Sequence, residues 1–321
     1  MKTRILLGVA MSFMYGIGAC AQAQSVIRFG HFPNVTHVQA LVAHHLSRQG
    51  KGWFEQRLGP GVKIEWYLYN AGPSAMEAVF ARSIDVTYVG PSPAINAFAK
   101  SNGEEVRIVA GAANGGAALV IQPDSTIKTG ADFRGKRIAT PQLGNTQDVA
   151  CRAWLSAQGL KITQTGGDAQ VLPTPNPDQL SLFAQKKIDA VWTVEPWVSR
   201  LERDAGGKVF LEEKDAVTTV LVSSVKYQTE QREQLRKLVQ AHKELTEWIK
   251  AHPAQAQAMV VEELSAEMKS KISPELIAAA WKRIELVDVV SLQSLYTFVA
   301  NAQKAGFLRT VPDLRTLVQT P

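Results

Sequence analysis

The chain has 321 residues, of which 45% are hydrophobic and 20% charged, and its formal charge at pH 7 is +6. This length is enough for two α/β lobes that each bury a core of their own. The mild basic excess contains no cluster of Lys and Arg, which argues against nucleic acid as a partner. The 2 cysteines exclude a disulfide-rich scaffold.

The N-terminal residues 1–23 have the pattern of a signal peptide. Basic residues precede an apolar run, residues 5–17, that is too short to span a bilayer, and small residues follow it. The four residues ending at Cys20 resemble a bacterial lipobox, in which Cys20 would become the lipidated first residue. Cleavage after Ala21 or Ala23 is the alternative, and both remain open. The sequence therefore predicts export and a periplasmic location.

Strand and helix patterns alternate through residues 25–115, which we interpret as the first part of lobe 1. The predicted strands are 26–30, 63–69, 85–89 and 106–111, and the predicted helices are 38–49, 74–82 and 93–100. Such alternation is typical of a mostly parallel sheet.

Residues 116–215 repeat the alternation and form the predicted lobe 2, with crossings near 114–116 and 214–218. Its predicted strands are 118–122, 137–140, 169–173, 190–193 and 209–211, with helices 149–158 and 178–186. Residues 216–321 return to lobe 1 through a strand, 217–223, followed by helices 235–252, 254–263, 273–285 and 292–305, which we expect to pack on lobe 1. Two lobes joined by two crossing strands predict a cleft that closes around a small ligand.

Four polar turns follow predicted strands and precede helices. The clearest lies in residues 137–148, where Pro141, Gly144 and Asn145 form a turn and a helix begins near Thr146. Free N–H groups and the positive end of the dipole at a helix start favour anions. Because ligands of open α/β sheets bind at the carboxyl ends of strands, the turns predict one shared crevice.

Several stretches together resemble the solute-binding proteins of nitrate, sulfonate and taurine ABC importers, and most closely the aliphatic-sulfonate-binding subgroup. They are Gly30-His31-Phe32-Pro33-Asn34, Asn70-Ala71-Gly72-Pro73, Tyr88-Val89-Gly90-Pro91-Ser92-Pro93-Ala94, Ala139-Thr140-Pro141-Gln142-Leu143-Gly144-Asn145-Thr146-Gln147-Asp148 and Glu195-Pro196-Trp197. The resemblance implies a type II periplasmic-binding-protein fold. It also implies a monomer that delivers a small anionic organic ligand to an inner-membrane permease driven by a cytoplasmic ATPase. The chain itself lacks the G-x-x-x-x-G-K-S/T signature of such an ATPase.

Hydroxyl groups at predicted helix starts are the first candidate ligands for such an anion. Ser74, Ser92 and Thr146 each lie at or beside a helix start, where an ordinary N-cap is the alternative role. Neutral donors avoid the desolvation cost of a permanent buried counter-charge. Three glycines would let the backbone approach the ligand, or merely turn: Gly72, Gly90 and Gly144.

Other candidates lie in the same turns and near the crossing. Asn34, His37 and His31 belong to the first turn, where a histidine either donates to an oxyanion or is merely solvated, and Gln142 and Asn145 offer amide donors at the 137–148 turn. Three further candidates have equally good structural alternatives. Asn114 could face the cleft or serve as a hinge residue. Glu195 could pair with a ligand's ammonium group or accept from backbone donors, and Trp197 could form a wall of the cleft or pack in the core.

No metal, cofactor or catalytic activity is expected. His31, His37, His44 and His45 are not completed to a recognised metal-binding spacing by a Cys or carboxylate pair. There is no Gly-x-Ser-x-Gly elbow, and Cys151 falls inside a helix, where it is expected to fill the core. Two alternatives remain. The first is a thiamine-pyrimidine-type binding protein or enzyme on the same fold; the enzymes of this type resemble this family but carry a Cys-rich iron motif. The second is a binding protein that feeds a sensor.

Overall fold

The computed structural model describes residues 25–321, so the predicted signal peptide and Cys20 lie outside the described residues. The strands are β1 (Ser25–His31), β2 (Val62–Leu68), β3 (Val86–Val89), β4 (Val106–Gly115), β5 (Ala117–Ile121), β6 (Arg137–Thr140), β7 (Gln170–Pro173), β8 (Ala190–Val194), β9 (Lys208–Glu213), β10 (Val217–Ser224) and β11 (Ile284–Leu286). The helices are α1 (Val38–Arg48), α2 (Trp53–Leu58), α3 (Gly72–Phe80), α4 (Pro91–Lys100), α5 (Thr146–Ala157), α6 (Asn176–Ala184), α7 (Trp197–Ala205), α8 (Val225–Glu230), α9 (Arg232–Ala251), α10 (Pro253–Glu267), α11 (Pro274–Trp281) and α12 (Leu292–Lys304). Short 3₁₀ turns occur at Val35–His37 and Gly130–Phe133.

The strands form two sheets, one in each lobe. The first has the order β11-β4-β10-β3-β1-β2 and the second the order β7-β6-β8-β5-β9. In the first sheet β1 is parallel to β2 and β3, whereas β10 and β11 run antiparallel to their neighbours. The chain enters the second sheet between β4 and β5 and returns between β9 and β10. The carboxyl ends of β1, β2, β3, β6, β7 and β8, each followed by a helix or 3₁₀ turn, supply the loops that build the site.

Apolar side chains cover both faces of each sheet. On one face of the first sheet the rings of Phe29, Trp66 and Tyr88 stack beneath α1, α2, α9, α10 and α11. The second lobe has two smaller cores, one of which contains Cys151 as a buried free thiol, as its place in the sequence predicts. Burial and the negative charge of Asp148 raise the pKa of this thiol well above its usual range.

The C-terminal segment differs from the prediction in two ways. The helix expected over 273–285 ends at Trp281, and Ile284–Leu286 instead pairs antiparallel with β4. The final helix, α12, packs on both lobes, because Leu295 and Phe298 share a core with Val149 of α5. The short helices α2 and α8 were not predicted.

The first crossing between the lobes is made by two glycines with positive φ. Gly115 has φ of 71° and Gly116 φ of 73°. A Cβ on Gly115 would lie 2.4 Å from the carbonyl oxygen of Arg283, so β11 can pair this closely only with a glycine. Within residues 25–321 no helix combines the length and apolar character needed to cross a membrane.

Candidate functional site

A small cavity lies between the two lobes, where strand ends meet helix starts. Its volume is about 20 Å³, which is room for about one water molecule. Six residues that the sequence singled out line it: Asn34, His37, Gly72, Gly90, Asn145 and Thr146. Polar residues that the sequence did not single out as candidates also line it: Thr36, Asn70, Gln147, Asn176 and Thr218.

Four helices begin at this cavity, two from each lobe. From the first lobe come α3, whose N-cap is Ala71, and α4, whose N-cap is Gly90. From the second come α5, whose N-cap is Asn145, and α6, whose first residue is Asn176. Each helix start presents backbone N–H groups and the positive end of its dipole. Among the described residues that line the cavity, none is Asp, Glu, Lys or Arg.

A buried ion pair shapes the β6–α5 turn. Asp148, the third residue of α5, accepts from the Thr140 hydroxyl at 2.8 Å, the Gly144 N–H at 2.9 Å and Arg152 Nε at 3.0 Å. The Asn145 side chain caps the helix by accepting from the Asp148 N–H at 2.8 Å. The turn is therefore held by its own side chains, which leaves the next residue, Thr146, free for other contacts.

The Thr146 hydroxyl is buried and has no hydrogen-bond partner within residues 25–321. It approaches Gly90 from the opposite lobe so closely that a Cβ on Gly90 would lie 2.2 Å from its Oγ1. Ser92 Oγ, in the first turn of α4, is also buried and has no partner in the described part of the chain, but Ser92 does not line the cavity. Buried hydroxyls without partners are costly, so a ligand or an ordered water is expected to satisfy them.

The loop after β1 contributes an amide and an imidazole. Trp197 Nε1 donates to Asn34 Oδ1 at 3.1 Å, so the amide nitrogen of Asn34 is the end that remains available as a donor. His37 Nδ1 accepts from the Phe32 N–H at 3.4 Å, which leaves Nε2 as the protonated nitrogen. Burial, with a smaller contribution from His31, holds the pKa of His37 well below its usual range, so the ring is neutral.

Hydrogen bonds join the lobes around the cavity. Asn70 Nδ2 donates to the carbonyl oxygen of Pro141 at 3.3 Å, and the Ser74 hydroxyl donates to Gln142 Oε1 at 3.1 Å. The Val35 N–H donates to the carbonyl oxygen of Glu195 at 2.9 Å. These contacts hold the lobes against each other in this structure.

In a comparison with protein-family models, residues 21–264 match the model described as the NMT1-like family. The chain belongs to the NMT1-like family. Relatives of this NMT1-like chain include a protein of Brucella abortus (strain 2308) named as a binding protein, which is 27% identical over 214 residues, 66% of this chain and 61% of the relative. A protein of Escherichia coli (strain K12) named as an aliphatic sulfonates-binding protein is 30% identical over 159 residues, 49% of this chain and 47% of the relative. The chain thus matches less than two thirds of the length of these curated relatives.

Among solved structures, the alkanesulfonate-binding protein SsuA from Xanthomonas axonopodis pv. citri, bound to MOPS, superimposes with a TM-score of 0.75 at 21% identity. The match covers 94% of this chain and 100% of that one. This likeness shows that the NMT1-like chain has the two-lobed periplasmic-binding-protein fold. These relatives are named as binding proteins, in agreement with the expectation that the chain is not an enzyme.

The remaining predicted site residues lie around the cavity without lining it. Gln142 and Gly144 border an adjacent groove, and Ser74 is bonded to Gln142. Asn114 Nδ2 donates to Glu285 Oε2 at 3.2 Å in the β4–β11 pair. Trp197 is buried and positions Asn34.

Glu195 has protein partners in place of a ligand's ammonium group. Its fully buried carboxylate accepts from the Ser199 hydroxyl at 2.9 Å and from Arg283 Nη1 at 3.0 Å. Burial raises the pKa of Glu195, although these donors and the Ser199 N–H oppose the shift. The structure therefore places this residue in a contact between the lobes, beside the cavity.

Some of the lining residues that were not singled out also lie where a strand ends and a helix starts. Asn176 starts α6 directly after Pro175, at the end of a strand, but the predicted helix began at 178. Asn70 belongs to a stretch that carries the family resemblance. Thr36 and Thr218 had no local signal, because their place at the cavity depends on how the 3₁₀ turn Val35–His37 packs against β10.

Proposed function

We propose that this chain is the periplasmic solute-binding component of an ABC importer. It captures a small oxyanionic organic solute, an aliphatic sulfonate first among the candidates, and delivers it to an inner-membrane permease with a cytoplasmic ATPase. One observation carries the proposal: four helix starts from two lobes surround a cavity whose described lining has no charged side chain.

This donor set suits an anion that stays charged at every physiological pH. Helix N-termini attract anions through N–H groups and the dipole without a counter-ion. A Lys or Arg in the lining would have to lose its hydration each time the cleft closes. The neutral His37 ring adds a donor without adding a charge.

The Thr146 hydroxyl is the side-chain donor best placed for the oxyanion. It is buried, has no partner in the described chain and lies among the four helix starts. The amide nitrogens of Asn34 and Asn176 provide donors from the two lobes. Several neutral donors arranged around one point support a tetrahedral or trigonal oxyanion as the ligand.

Apolar groups at the same cavity support a ligand with a carbon part. Phe32, Pro93, Pro141 and Val194 line the cavity beside the polar groups. The names of the Escherichia coli and Xanthomonas relatives, an aliphatic sulfonates-binding and an alkanesulfonate-binding protein, point to the same ligand class. A sulfonate combines the permanent anion with the apolar half that this lining accommodates.

Closure of the lobes is part of the proposal. With a volume of about 20 Å³ the cavity admits no organic anion until the lobes separate. We therefore propose two moving units, residues 25–115 together with 216–321 as one and residues 116–215 as the other, with the two crossings as hinges. The bonds of Asn70 with Pro141 and of Ser74 with Gln142 would break on opening.

The first test is calorimetric titration of the exported protein after its ligand has been stripped by denaturation and refolding. The panel contains alkanesulfonates, taurine, sulfate esters, nitrate, bicarbonate and a thiamine pyrimidine. We expect a sulfonate to bind with a Kd of about 1 μM or below, about −8 kcal/mol, and its carboxylate analogue to bind far more weakly. Binding of the pyrimidine without binding of any anion would contradict the proposal and favour the thiamine-pyrimidine alternative.

A variant then tests the oxyanion contact. Thr146→Val removes the hydroxyl and keeps the branched shape beside Gly90, so we expect it to weaken sulfonate binding by about 1 to 3 kcal/mol. Thr146→Ser keeps the hydroxyl and is the matched control, which should retain most of the affinity. Equal affinities for a folded Val variant and the original protein would remove Thr146 from the site.

A further inference from the structure

A second polar cluster is buried in the first lobe, and none of its members lines the cavity. His31 ends β1, His44 lies on α1, and Glu263 and Glu267 lie on α10. His31 Nε2 lies 3.2 Å from Glu267 Oε1, and His44 Nδ1 lies 2.9 Å from that oxygen and 3.0 Å from Glu263 Oε1. Three separate elements thus bring nitrogen and oxygen ligand atoms to one point.

We propose that His31, His44 and Glu267 bind a divalent transition-metal ion of the Zn²⁺ class in the first lobe. The candidate ligand atoms of these residues all lie within 4.8 Å of one another. Zinc bonds of about 2.0 to 2.1 Å in a tetrahedral arrangement place ligand atoms about 3.3 Å apart. The observed separations of 2.9 and 3.2 Å from Glu267 Oε1 are close to this value, and the two imidazole nitrogens lie within 4.8 Å of each other.

Two buried atoms of the cluster support a missing ligand. The side chain of His31 is 0% exposed and that of Glu267 is 1% exposed. Within the described residues, His31 Nε2 and Glu267 Oε2 make no hydrogen bond. A nitrogen lone pair and a carboxylate oxygen that are buried together without a donor are satisfied by a cation bound between them.

The charges around the cluster favour a divalent ion. Glu263 and Glu267 bring two carboxylates into the interior, each 1% exposed. Arg48 Nη1 lies 3.3 Å from Glu263 and is half exposed, and His45 Nδ1 lies 3.9 Å from Glu263, so Glu263 has cationic neighbours of its own. In the metal-bound state the imidazoles that face Glu267 are neutral, so the ion supplies the counter-charge of this carboxylate.

The donor set and the surroundings select the kind of metal. Two imidazoles and a carboxylate suit Zn²⁺ and similar transition metals, whereas Mg²⁺ and Ca²⁺ prefer oxygen ligands only. The Trp66 ring stacks on His44 at 5.1 Å between centroids and meets His31 edge-on at 5.3 Å. This aromatic cover excludes water from one side of the site.

Sequence spacing did not indicate the site, because Glu267 lies more than 220 residues from both histidines.

A bound ion would join α10 and α1 to the end of β1. The expected consequence is a more stable first lobe, since binding to the native state alone raises the stability of that state. Because the cluster lies outside the cavity, sulfonate affinity is expected to change little when the metal is removed. This separates the inference from the proposed function, since either one can fail alone.

The test uses the full exported protein, treated with a chelator and then titrated with Zn²⁺ alone. We expect one Zn²⁺ per chain with a Kd of about 1 μM or below, and a higher unfolding temperature with Zn²⁺ than with chelator. Glu267→Gln should weaken Zn²⁺ binding at least about 100-fold. Glu262→Gln is the matched control, because this glutamate lies on the same helix but is 67% exposed.

Co²⁺ gives a readout that needs no variant. A four-coordinate nitrogen and oxygen site should give Co²⁺ a strong visible absorption that one equivalent of Zn²⁺ abolishes. Absence of stoichiometric Zn²⁺ binding to the folded original protein would overturn the proposal and leave the cluster as a hydrogen-bonded network. Equal binding by folded Glu267→Gln and Glu262→Gln variants would also overturn it, because the bound ion would then lie elsewhere.

Discussion

Replacing Asp148 with Asn tests whether the β6–α5 turn depends on its buried ion pair. The side chain of Asp148 is 0% exposed and that of Arg152 is 1% exposed, with 3.0 Å between Oδ2 and Nε. The same carboxylate also accepts from the Thr140 hydroxyl and the Gly144 N–H. An Asn amide group would turn its NH₂ toward a donor on one side or the other. Arg152 would keep its bonds to the carbonyl oxygens of Thr163 and Val171 but would lose its buried counter-ion.

Removing one partner of a buried pair typically costs about 3 to 5 kcal/mol, and we expect Asp148→Asn to lower the free energy of unfolding by this amount. Adding Arg152→Met should recover part of the loss, because the unpaired charge is then gone. Asp204→Asn, which breaks partly exposed pairs with Arg200 and Arg203 in the same lobe, should cost less than about 1 kcal/mol.

The assay is urea unfolding of all variants, followed by both far-UV circular dichroism and tryptophan fluorescence. Coincident transitions with an unchanged dependence on urea allow the free energies to be compared. A loss below about 1 kcal/mol for Asp148→Asn, or a double variant less stable than the single one, would refute the reasoning. The Asn variant should also bind sulfonate more weakly, since the same carboxylate orders the turn that presents Thr146.

Two further predictions concern acid stability and lobe closure. Burial, only partly opposed by a hydrogen bond to the Gly111 carbonyl, lowers the pKa of His242 to about 4. The unfolded chain therefore takes up a proton at His242 near pH 6.5, whereas the native state takes it up only near pH 4. In urea unfolding, His242 should therefore contribute a loss of roughly 1 kcal/mol per pH unit to the free energy of unfolding as the pH falls from 6.5 to 4. His242→Gln should remove that part of the slope, and an unchanged slope would exclude His242 as its cause. Gly90→Ala places a Cβ 2.2 Å from Thr146 Oγ1, so calorimetry should show sulfonate affinity at least about tenfold lower with an unchanged unfolding midpoint. Gly166→Ala, which meets nothing within 4 Å, is the matched control, and equal affinities in the two variants would argue against closure at Gly90.

Local signals in the sequence were enough to predict most of the two-lobed fold. The β6 strand and the start of α5 were predicted where they occur, because a β-rich stretch, a turn with Gly144 and a capping Asn145 lie next to each other. The β11 strand was missed because its three residues continue an apolar helical pattern. Its partner, β4, lies about 170 residues earlier, so only tertiary pairing shows that it is a strand.

The candidate site was less accessible to sequence reasoning for the same reason. Thr146 was found because a helix start can be read locally, whereas Thr218 lines the cavity only through the position of its strand in the sheet. Glu195 follows a strand end in the pattern of a ligand residue. Its carboxylate instead contacts Arg283, which is 88 residues away, so no local sequence pattern could predict the contact.

The contact of Glu195 with Arg283 bears on the energy of the proposed closure. Arg283 follows α11, which packs on the first lobe, and its guanidinium contacts Glu195 and Glu202 of the second lobe at 3.0 and 2.9 Å. Opening would hydrate these charges, and burying a pair gains little over leaving both ions in water. The pair therefore fixes how the lobes meet without strongly favouring the closed state. The ligand therefore has to supply the free energy of closure, because it contacts helix starts of both lobes only when the lobes close around it.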